Sequence, residues 1–368
     1  MKIPPSTPEQ ATAVLSGFAV EGRLLRLQPY SGGHINDSWL AVVAGAGGER
    51  QFLLQRINRT VFRHPEQVIE NMERVTAHVA SRLRAEGALD VERRVLRLVR
   101  ARSGAPSRQD EAGETWRLLP WIAGTRCLER ARSEQEAFET ALAFGRFLRQ
   151  LQDLPGPRLH ETIPAFHDTP GRLAAFERAV AADRVGRAGE ARPEIEALLA
   201  RRALAQVLAD PLARGEVRER PVHNDAKISN VLFDETSGEG LCVVDLDTVM
   251  PGLALHDFGD LVRSGVSDSD EDERELARVA VRVPFFAALV SGFTQGAGSA
   301  LSAKERSLLV AGALAITFEQ ALRFLADHLD GDRYYRILRP GHNLERTRAQ
   351  IALVASLERE RPRLSALA

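Results

Sequence analysis

The sequence predicts an α+β fold in two lobes, on three observations. Short apolar runs divided by glycine-rich turns fill the first third of the chain. Capped, amphipathic helical patterns dominate from about Ser133 onward. One island of strand-like segments, Arg220 to Asp247, interrupts that helical part. At 368 residues the chain is too long for one simple core and suits two lobes, expected at 1–120 and 121–368.

The first lobe is expected to be an antiparallel sheet with one main helix. RLLRLQPY (Arg23 to Tyr30), SWLAVVA (Ser38 to Ala44) and QFLLQRI (Gln51 to Ile57) read as strands, with AGAGGER as a hairpin turn. Val68, Ile69, Met72, Val75, Val79 and Leu83 recur at three- and four-residue steps, so a long helix follows Pro65, which suits a first helical position. RVLRLVR (Arg94 to Arg100) and TWRLLPW (Thr115 to Trp121) are two further strand candidates. A short connection near Leu119 to Ile122 leads into the mostly helical second lobe. There Ser133 with Glu136, and Ser302 with Glu305, form capping boxes that open helices running to Leu151 and to about Leu329. Thr169 and Pro170 open another.

Composition narrows the function classes. Hydrophobic content of 44% and charged content of 27% fit a soluble globular protein. A formal charge of −1 gives no pull toward nucleic acid or an anionic membrane, so neither is an expected partner. The longest apolar run, Leu308 to Ile316, is too short to span a bilayer. Cys127 and Cys242 are far apart and outside any C-x-x-C spacing, which excludes a disulfide framework and a zinc site. With no apolar signal core in MKIPPSTPEQ, a reducing cytoplasm is the expected location. Nothing in the sequence bears on oligomeric state.

The chemistry-bearing residues gather in the island, HNDAKISNVLFDETSGEGLCVVDLDT. His223, Asp225 and Asn230 give H-x-D-x-x-x-x-N. A strand follows, then a turn with Gly238 and Gly240, then a second apolar strand ending on Asp245. Transfer of the ATP γ-phosphoryl group needs parts of this kind. One carboxylate accepts or orients the proton of the attacking hydroxyl; a second carboxylate and an amide oxygen hold Mg²⁺ against the phosphates. Asp225 is therefore the candidate base, His223 its brace, and Asn230 and Asp245 the candidate metal ligands. A glycine-bearing hairpin, SGGHINDSW, lets backbone amides approach phosphates at Gly32 and Gly33.

This segment resembles the catalytic and metal-binding loops of the aminoglycoside phosphotransferase and choline kinase superfamily, kin to protein kinases. Gly32, Gly33 and Asn36 resemble its G-G-x-x-N pattern. The resemblance implies a protein-kinase-like two-lobe fold, ATP and Mg²⁺ as cofactors, and the metal aspartate at Asp245. The literal DFG of Asp257, Phe258 and Gly259, 32 residues past Asp225, is then a decoy. Asp247, two residues beyond Asp245, is a candidate carboxylate for the acceptor or for the shell behind the metal. One departure stands out. Kinases carry a phosphate-touching lysine on the third strand, and here FLLQRI offers Gln55 and Arg56. Both are candidate nucleotide-side groups, with Glu70 or Glu73 as the helix partner. The missing lysine keeps a non-catalytic nucleotide-binding protein as an alternative.

A closer likeness spans nearly the whole chain. The blocks YSGGHINDSWL, FLLQRIN, IENMERVT, HNDAKISNVLFD, VVDLDTVMPGLALHDFGD and RFLADHLDGDRYY resemble N-acetylhexosamine 1-kinases. That resemblance implies a small-molecule sugar, phosphorylated on its anomeric hydroxyl in a helical-lobe site facing Asp225. Phe166, His167 and Asp168 in the AFHDTP loop are candidate contributors, with Arg263, Arg323, Asp327 and Tyr334. Arg323 and Asp327 stand one helical turn apart, and Asp260 is a candidate brace for the catalytic loop. Another hydroxyl acceptor, such as an aminoglycoside, choline or homoserine, is the rival. A sulfatase is excluded: its C/S-x-P-x-R pattern is absent, since Cys127 is followed by LERAR.

Overall fold

The computed structural model describes residues 5–32 and 35–368. Strands β1 (Arg23–Pro29), β2 (Asp37–Gly45), β3 (Gly48–Arg56), β4 (Arg108–Gln109) and β5 (Thr115–Pro120) form one antiparallel sheet ordered β1-β2-β3-β5-β4. Alternation along each strand sorts its side chains onto two faces. Trp39, Ala41, Val43, Phe52, Leu54, Trp116 and Leu118 share one buried cluster with helix α1 (Pro8–Leu15). Ser38, Gln55 and Arg117 project from the other face, toward Met72 of helix α2 (Pro65–Ala85). Helix α2 has Pro65 in its first turn and buries Val68, Ile69, Met72, Val75, Val79 and Leu83, the periodic set read from the sequence.

RVLRLVR is not a strand. Val91–Arg94 form a single helical turn, and 95–100 join no ladder. The Val99 amide donates to Leu118 and the Arg100 carbonyl accepts from Ala19, two isolated bonds. The place beside β5 is filled instead by β4, in register Arg108↔Trp116.

The main helices beyond this sheet are α3 (Glu134–Gln150), α4 (Thr169–Ala182), α5 (Ala254–Gly265), α6 (Val283–Ala297), α7 (Leu309–Leu329) and α8 (His342–Ser365). Ser133 caps α3 by accepting the Glu136 amide, but the Glu136 carboxylate reaches back to Arg132, so that box is half formed. The Ser302–Glu305 box is complete, yet its helix breaks at Leu308 before α7 begins. By length and composition α7 could cross a bilayer; here it is mostly buried, packed on α4, α5 and α8. Helices α3 and α6 meet backbone to backbone. A Cβ at Gly292 would stand 2.2 Å from the Phe138 carbonyl oxygen, and one at Gly296 2.5 Å from that of Leu142, so only glycine fits.

The strand island is β6 (Thr125–Cys127), β7 (Arg220–Val222), β8 (Val231–Asp234), β9 (Gly240–Val243) and β10 (Met250–Gly252), in two small sheets, β6-β8-β9 and β7-β10. The sequence reading missed β6 and β10. Together these sheets fix both ends of the segment 223–230 and of the turn 244–249.

Candidate active site

Between β7 and β8 the chain turns through Asn224, whose φ of 63° lies in the left-handed region that asparagine tolerates. The Asn224 amide donates to the carbonyls of Thr248 (3.1 Å) and Met250 (3.2 Å), pinning this loop to the turn after β9. His223 packs against Phe144 and Phe147 of α3, with ring centroids at 5.2 and 6.1 Å. Its Nε2 donates to the Val244 carbonyl (2.9 Å), and its Nδ1 accepts the Asp225 amide (3.3 Å). The imidazole thus joins the two loops. From α5, the Asp257 carboxylate accepts the amides of His223 (3.0 Å) and Asn224 (2.7 Å). Asp257, the literal DFG aspartate, therefore braces the loop. Asp260, expected in that role, pairs with Arg263 Nε at 2.6 Å.

Asp225 Oδ2 accepts Lys227 Nζ at 2.8 Å and Asn230 Nδ2 at 3.0 Å. Burial pushes the Asp225 carboxyl up, but Lys227, then His223 and Arg263, hold it below its ordinary value. The carboxylate is ionised at neutral pH and can accept a hydrogen bond from an incoming hydroxyl. Lys227 was not singled out from the sequence, although a signal existed. The chain has three lysines, Lys2, Lys227 and Lys304, and uses arginine almost everywhere else.

Asn230 spends its amide hydrogens on the Asp225 carbonyl (2.8 Å) and carboxylate, which leaves its oxygen for a ligand. Asp245 follows β9 in a left-handed conformation, φ 60°, and makes no capping bond to the turn it begins. Its side chain is open to solvent at one side yet closely surrounded by protein. That partial desolvation, then the carboxylates of Asp247 and Asp225, push it up to about 6. Among the described residues no group of three or more His, Cys, Asp or Glu forms a ready-made metal cage. One amide oxygen with crowded carboxylates suits Mg²⁺, which binds through few hard protein oxygens, phosphates and water.

On the sheet side of this cleft, Gly32 is backed by Tyr30, whose ring a Cβ would meet at 2.4 Å. Gly33 lies outside the described residues. Asn36 donates to Asp247 Oδ2 (2.7 Å) and accepts the Asn58 amide (3.1 Å). Gln55 Oε1 accepts Nε (3.0 Å) and Nη2 (2.9 Å) of Arg117, its cross-strand neighbour on β5. Arg117 Nη1 is bonded to Asp247 Oδ1. Three expectations change here. Arg56 points to the α1 face by strand alternation; it pairs with Asp37 (3.1 Å) and lies over Trp116. Asp247, a candidate for the acceptor or for the shell behind the metal, is 2% exposed and committed to Arg117 and Asn36, which fits the second of those places. Neither Glu70 nor Glu73 reaches Gln55; they pair with His160 and Arg100.

The acceptor-side candidates converge beside the catalytic loop. His167 Nδ1 donates to Glu319 (2.9 Å) and its Nε2 to the Asn224 carbonyl (2.8 Å), so both nitrogens carry hydrogen. Burial opposes that charge, but Glu319 outweighs it and raises His167 above its ordinary value. Glu319 falls to about 2 despite burial, held by His167, Arg323 and the Thr169 hydroxyl. His256, its ring tilted against that of His167 with centroids 4.7 Å apart, is driven the other way, to about 3, by burial and by its charged neighbour. The Arg323 guanidinium lies 5.2 Å above the Phe166 ring and 5.7 Å from that of Tyr335, next to Tyr334. Phe166, His167, Arg323 and Tyr334 are thus brought together, and Glu319, Arg172 and Tyr335 join them unforeseen. Arg172 fixes the turn by donating to the Ala165 and Phe166 carbonyls, both at 3.1 Å.

Three other candidates are placed differently. Asp168 caps α4 by accepting the Gly171 amide (3.0 Å), although it also faces the cavity described next. Asp327 does not pair with Arg323. Its oxygens take the amides of Arg333, Tyr334 and Tyr335 and the Asn343 side chain, at 2.7–2.9 Å, and so anchor the 333–335 segment. Arg263, bound to Asp260 and Glu271, acts on Asp225 from the catalytic-loop side. Beside the AFHDTP loop opens a cavity of about 240 Å³, bounded by Phe166, Leu208, Met250 and His256 and by the carboxylates of Glu161, Asp168 and Glu219.

Taken as a sequence profile, the phosphotransferase enzyme family matches residues 26–287. Solved structures similar in fold include a microcompartment-associated aminopropanol kinase (TM-score 0.59, 16% identity, 95% of this chain and 96% of that one). A spectinomycin phosphotransferase in complex with ADP and spectinomycin is similar at TM-score 0.59 and 11% identity, over 97% and 99% of the two chains. An aminoglycoside phosphotransferase from Alicyclobacillus acidocaldarius matches at TM-score 0.57 and 14% identity, over 98% of both.

Proposed function

The chain belongs to the phosphotransferase enzyme family, and on that premise we propose that it phosphorylates the anomeric hydroxyl of an N-acetylhexosamine-type sugar, using ATP and Mg²⁺. Residues 1–120 bind the nucleotide in this reading, and 121–368 carry the catalytic loop and the acceptor site. Cys127 and Cys242, both free thiols, agree with a cytoplasmic setting.

The observation that carries the reading is the meeting of two groups of side chains. Asp225, Lys227, Asn230 and Asp245 supply the parts of phosphoryl transfer. The wall beside them, Phe166 and Arg323, tied to the loop through His167, supplies one aromatic face and a cationic N–H donor group, the Arg323 guanidinium. The wall's carboxylates are committed: Glu319 to His167 and Thr169, Asp327 to backbone amides. Donors and a ring suit the hydroxyls and amide carbonyl of an acetylated sugar better than an ammonium group.

Asp225 orients the anomeric hydroxyl and takes its proton as the bond to phosphorus forms. An anomeric hydroxyl is more acidic than an ordinary alcohol, so a carboxylate held low by Lys227 suffices. Lys227 sits where it can meet negative charge moving onto the transferred group. Asn230 and Asp245 would hold Mg²⁺, which would supply positive charge against the phosphate oxygens.

A second reading, an amino-alcohol or aminoglycoside acceptor, has one observation in its favour. The cavity beside the AFHDTP loop is lined by Glu161, Asp168 and Glu219 and, among the described residues, by no arginine or lysine. Two of those carboxylates are already bridged by Arg158. ATP consumption should be measured with free N-acetylhexosamines, their methyl glycosides, amino alcohols and aminoglycosides. The free sugar is expected to react and its methyl glycoside not, because the attacking oxygen is blocked. Equal rates for both would move the reaction to another hydroxyl, and activity on amines alone would select the second reading.

A further inference from the structure

We infer that the phosphate-side cation of this fold has moved one strand over: Arg117 on β5, not a residue of β3, is the positioning residue that joins the nucleotide hairpin to the metal-bearing loop. The usual arrangement places a lysine on the third strand and a glutamate on the next helix. Both are replaced here. Gln55 projects from β3 toward α2 and has no charge, and its carbonyl oxygen takes two N–H groups of Arg117 directly across the ladder. At the helix, Met72 stands against Arg117, with its sulfur 3.6 Å from Nη1. Glu70 and Glu73 are paired elsewhere. The counter-charge comes instead from Asp247, two residues past Asp245.

This exchange alters what the cation connects. Asp247 Oδ1 accepts Arg117, its Oδ2 accepts Asn36 of the glycine hairpin, and its backbone carbonyl accepts the Thr162 hydroxyl (2.7 Å). Arg117 and Asp247 are both 2% exposed. A buried guanidinium held by a planar amide on one edge and a carboxylate on the other has a single orientation. The sheet, Asn36 and the Asp245 loop are thereby set as one unit before any nucleotide arrives. Breaking the unit leaves Asp245 in place in the chain but free to shift relative to the hairpin. The defect should therefore fall on nucleotide binding with Mg²⁺ and spare the acceptor.

The inference rests on the nucleotide half of the function proposed above, and the test separates the two. ADP affinity is measured by calorimetry with Mg²⁺ and in EDTA, and the melting temperature is followed for each protein. The unsubstituted chain failing to bind ADP would sink both readings. With binding established, Arg117→Met is expected to weaken Mg²⁺-dependent ADP affinity about tenfold or more, the scale of a lost hydrogen bond to a charged group. Binding in EDTA should change less, and the acceptor KM should not move. Gln55→Lys combined with Arg117→Met returns the cation to β3 and should recover the affinity. If Arg117→Met does not fold, Asn36→Ala tests the same unit without disturbing the buried cation, and Mg²⁺-dependent affinity should again fall. Unchanged ADP affinity in the folded variant, or a loss that Gln55→Lys does not restore, overturns the inference.

Discussion

Asp225 and Asn230 bond to each other across five residues of chain, whereas His167 and Glu319, which bond as closely, are separated by 152. The catalytic loop and the acceptor wall adjoin through the hydrogen bond from His167 to the Asn224 carbonyl. They differ in how they are held. The loop is a local turn fixed by its own backbone, by Asp257 and by His223. The wall is assembled from a loop, a core helix and the 333–335 segment, and it depends on a buried ion pair. Chemistry common to a family can sit in the first kind of structure. Acceptor choice can vary in the second without disturbing the first.

Substitutions can break this division. The largest effect is expected at Asp225: Asp225→Asn should lower turnover about 10²–10⁴-fold, the scale of a lost general base. ADP affinity measured by calorimetry should persist, and near-native turnover would remove Asp225 from its role. Next is Glu319→Gln, which leaves His167 without its counter-charge. Breaking a buried pair in this way costs about 3–5 kcal/mol, read from denaturant unfolding. The kinetic defect should appear in acceptor KM, and a defect in ADP affinity would show that loop and wall are not separable.

The same pair gives a pH signature. Glu319 is lowered from 4.5 to about 2, so its contribution is present above 4.5 and is lost as pH falls toward 2. His167 is raised from 6.5, so its contribution is complete below 6.5 and is lost as pH rises through the folded value. The stability gap between the native chain and Glu319→Gln should therefore be widest between pH 4.5 and 6.5. A gap that stays constant from pH 4 to 9 in melting experiments would contradict the ionised pair. The smallest effect is expected at Asp168. Removing this cap by Asp168→Ala should cost about 0.5–2 kcal/mol with acceptor KM unchanged. A rise in KM without loss of stability would return Asp168 to the acceptor.

How much was legible in the sequence follows the same division. H-x-D-x-x-x-x-N and the strand-end Asp245 can be read because their spacing is their geometry: short strands and tight turns leave little freedom between them. The three N-terminal strands were legible as short apolar runs between glycine-rich turns, and α2 from its three- and four-residue steps. RVLRLVR misled because its apolar residues pack against the core without joining a ladder. Asp247 and Asp327 were ambiguous for another reason. A carboxylate in a polar motif looks available until its partners are known, and those partners, Arg117, Asn36 and the amides of 333–335, come from elsewhere in the fold. Arg56 and Gln55 were adjacent candidates for one role, and strand alternation places them on opposite faces. Arg117 lay hidden because nothing in TWRLLPW tells a paired arginine from the many that face solvent.

The crossing of α3 and α6 reaches further than its location suggests. Gly292 and Gly296 let the two backbones touch, and the helix they hold carries Phe144 and Phe147, the rings that back His223. A single methyl group at either glycine would lever α3 away, release His223 from its socket and let the base drift. Inactivating lesions in this enzyme need not cluster around the cleft. A screen for loss of function should recover alanine at Gly292 or Gly296 beside asparagine at Asp225, and only measurements of folding would tell the two kinds apart.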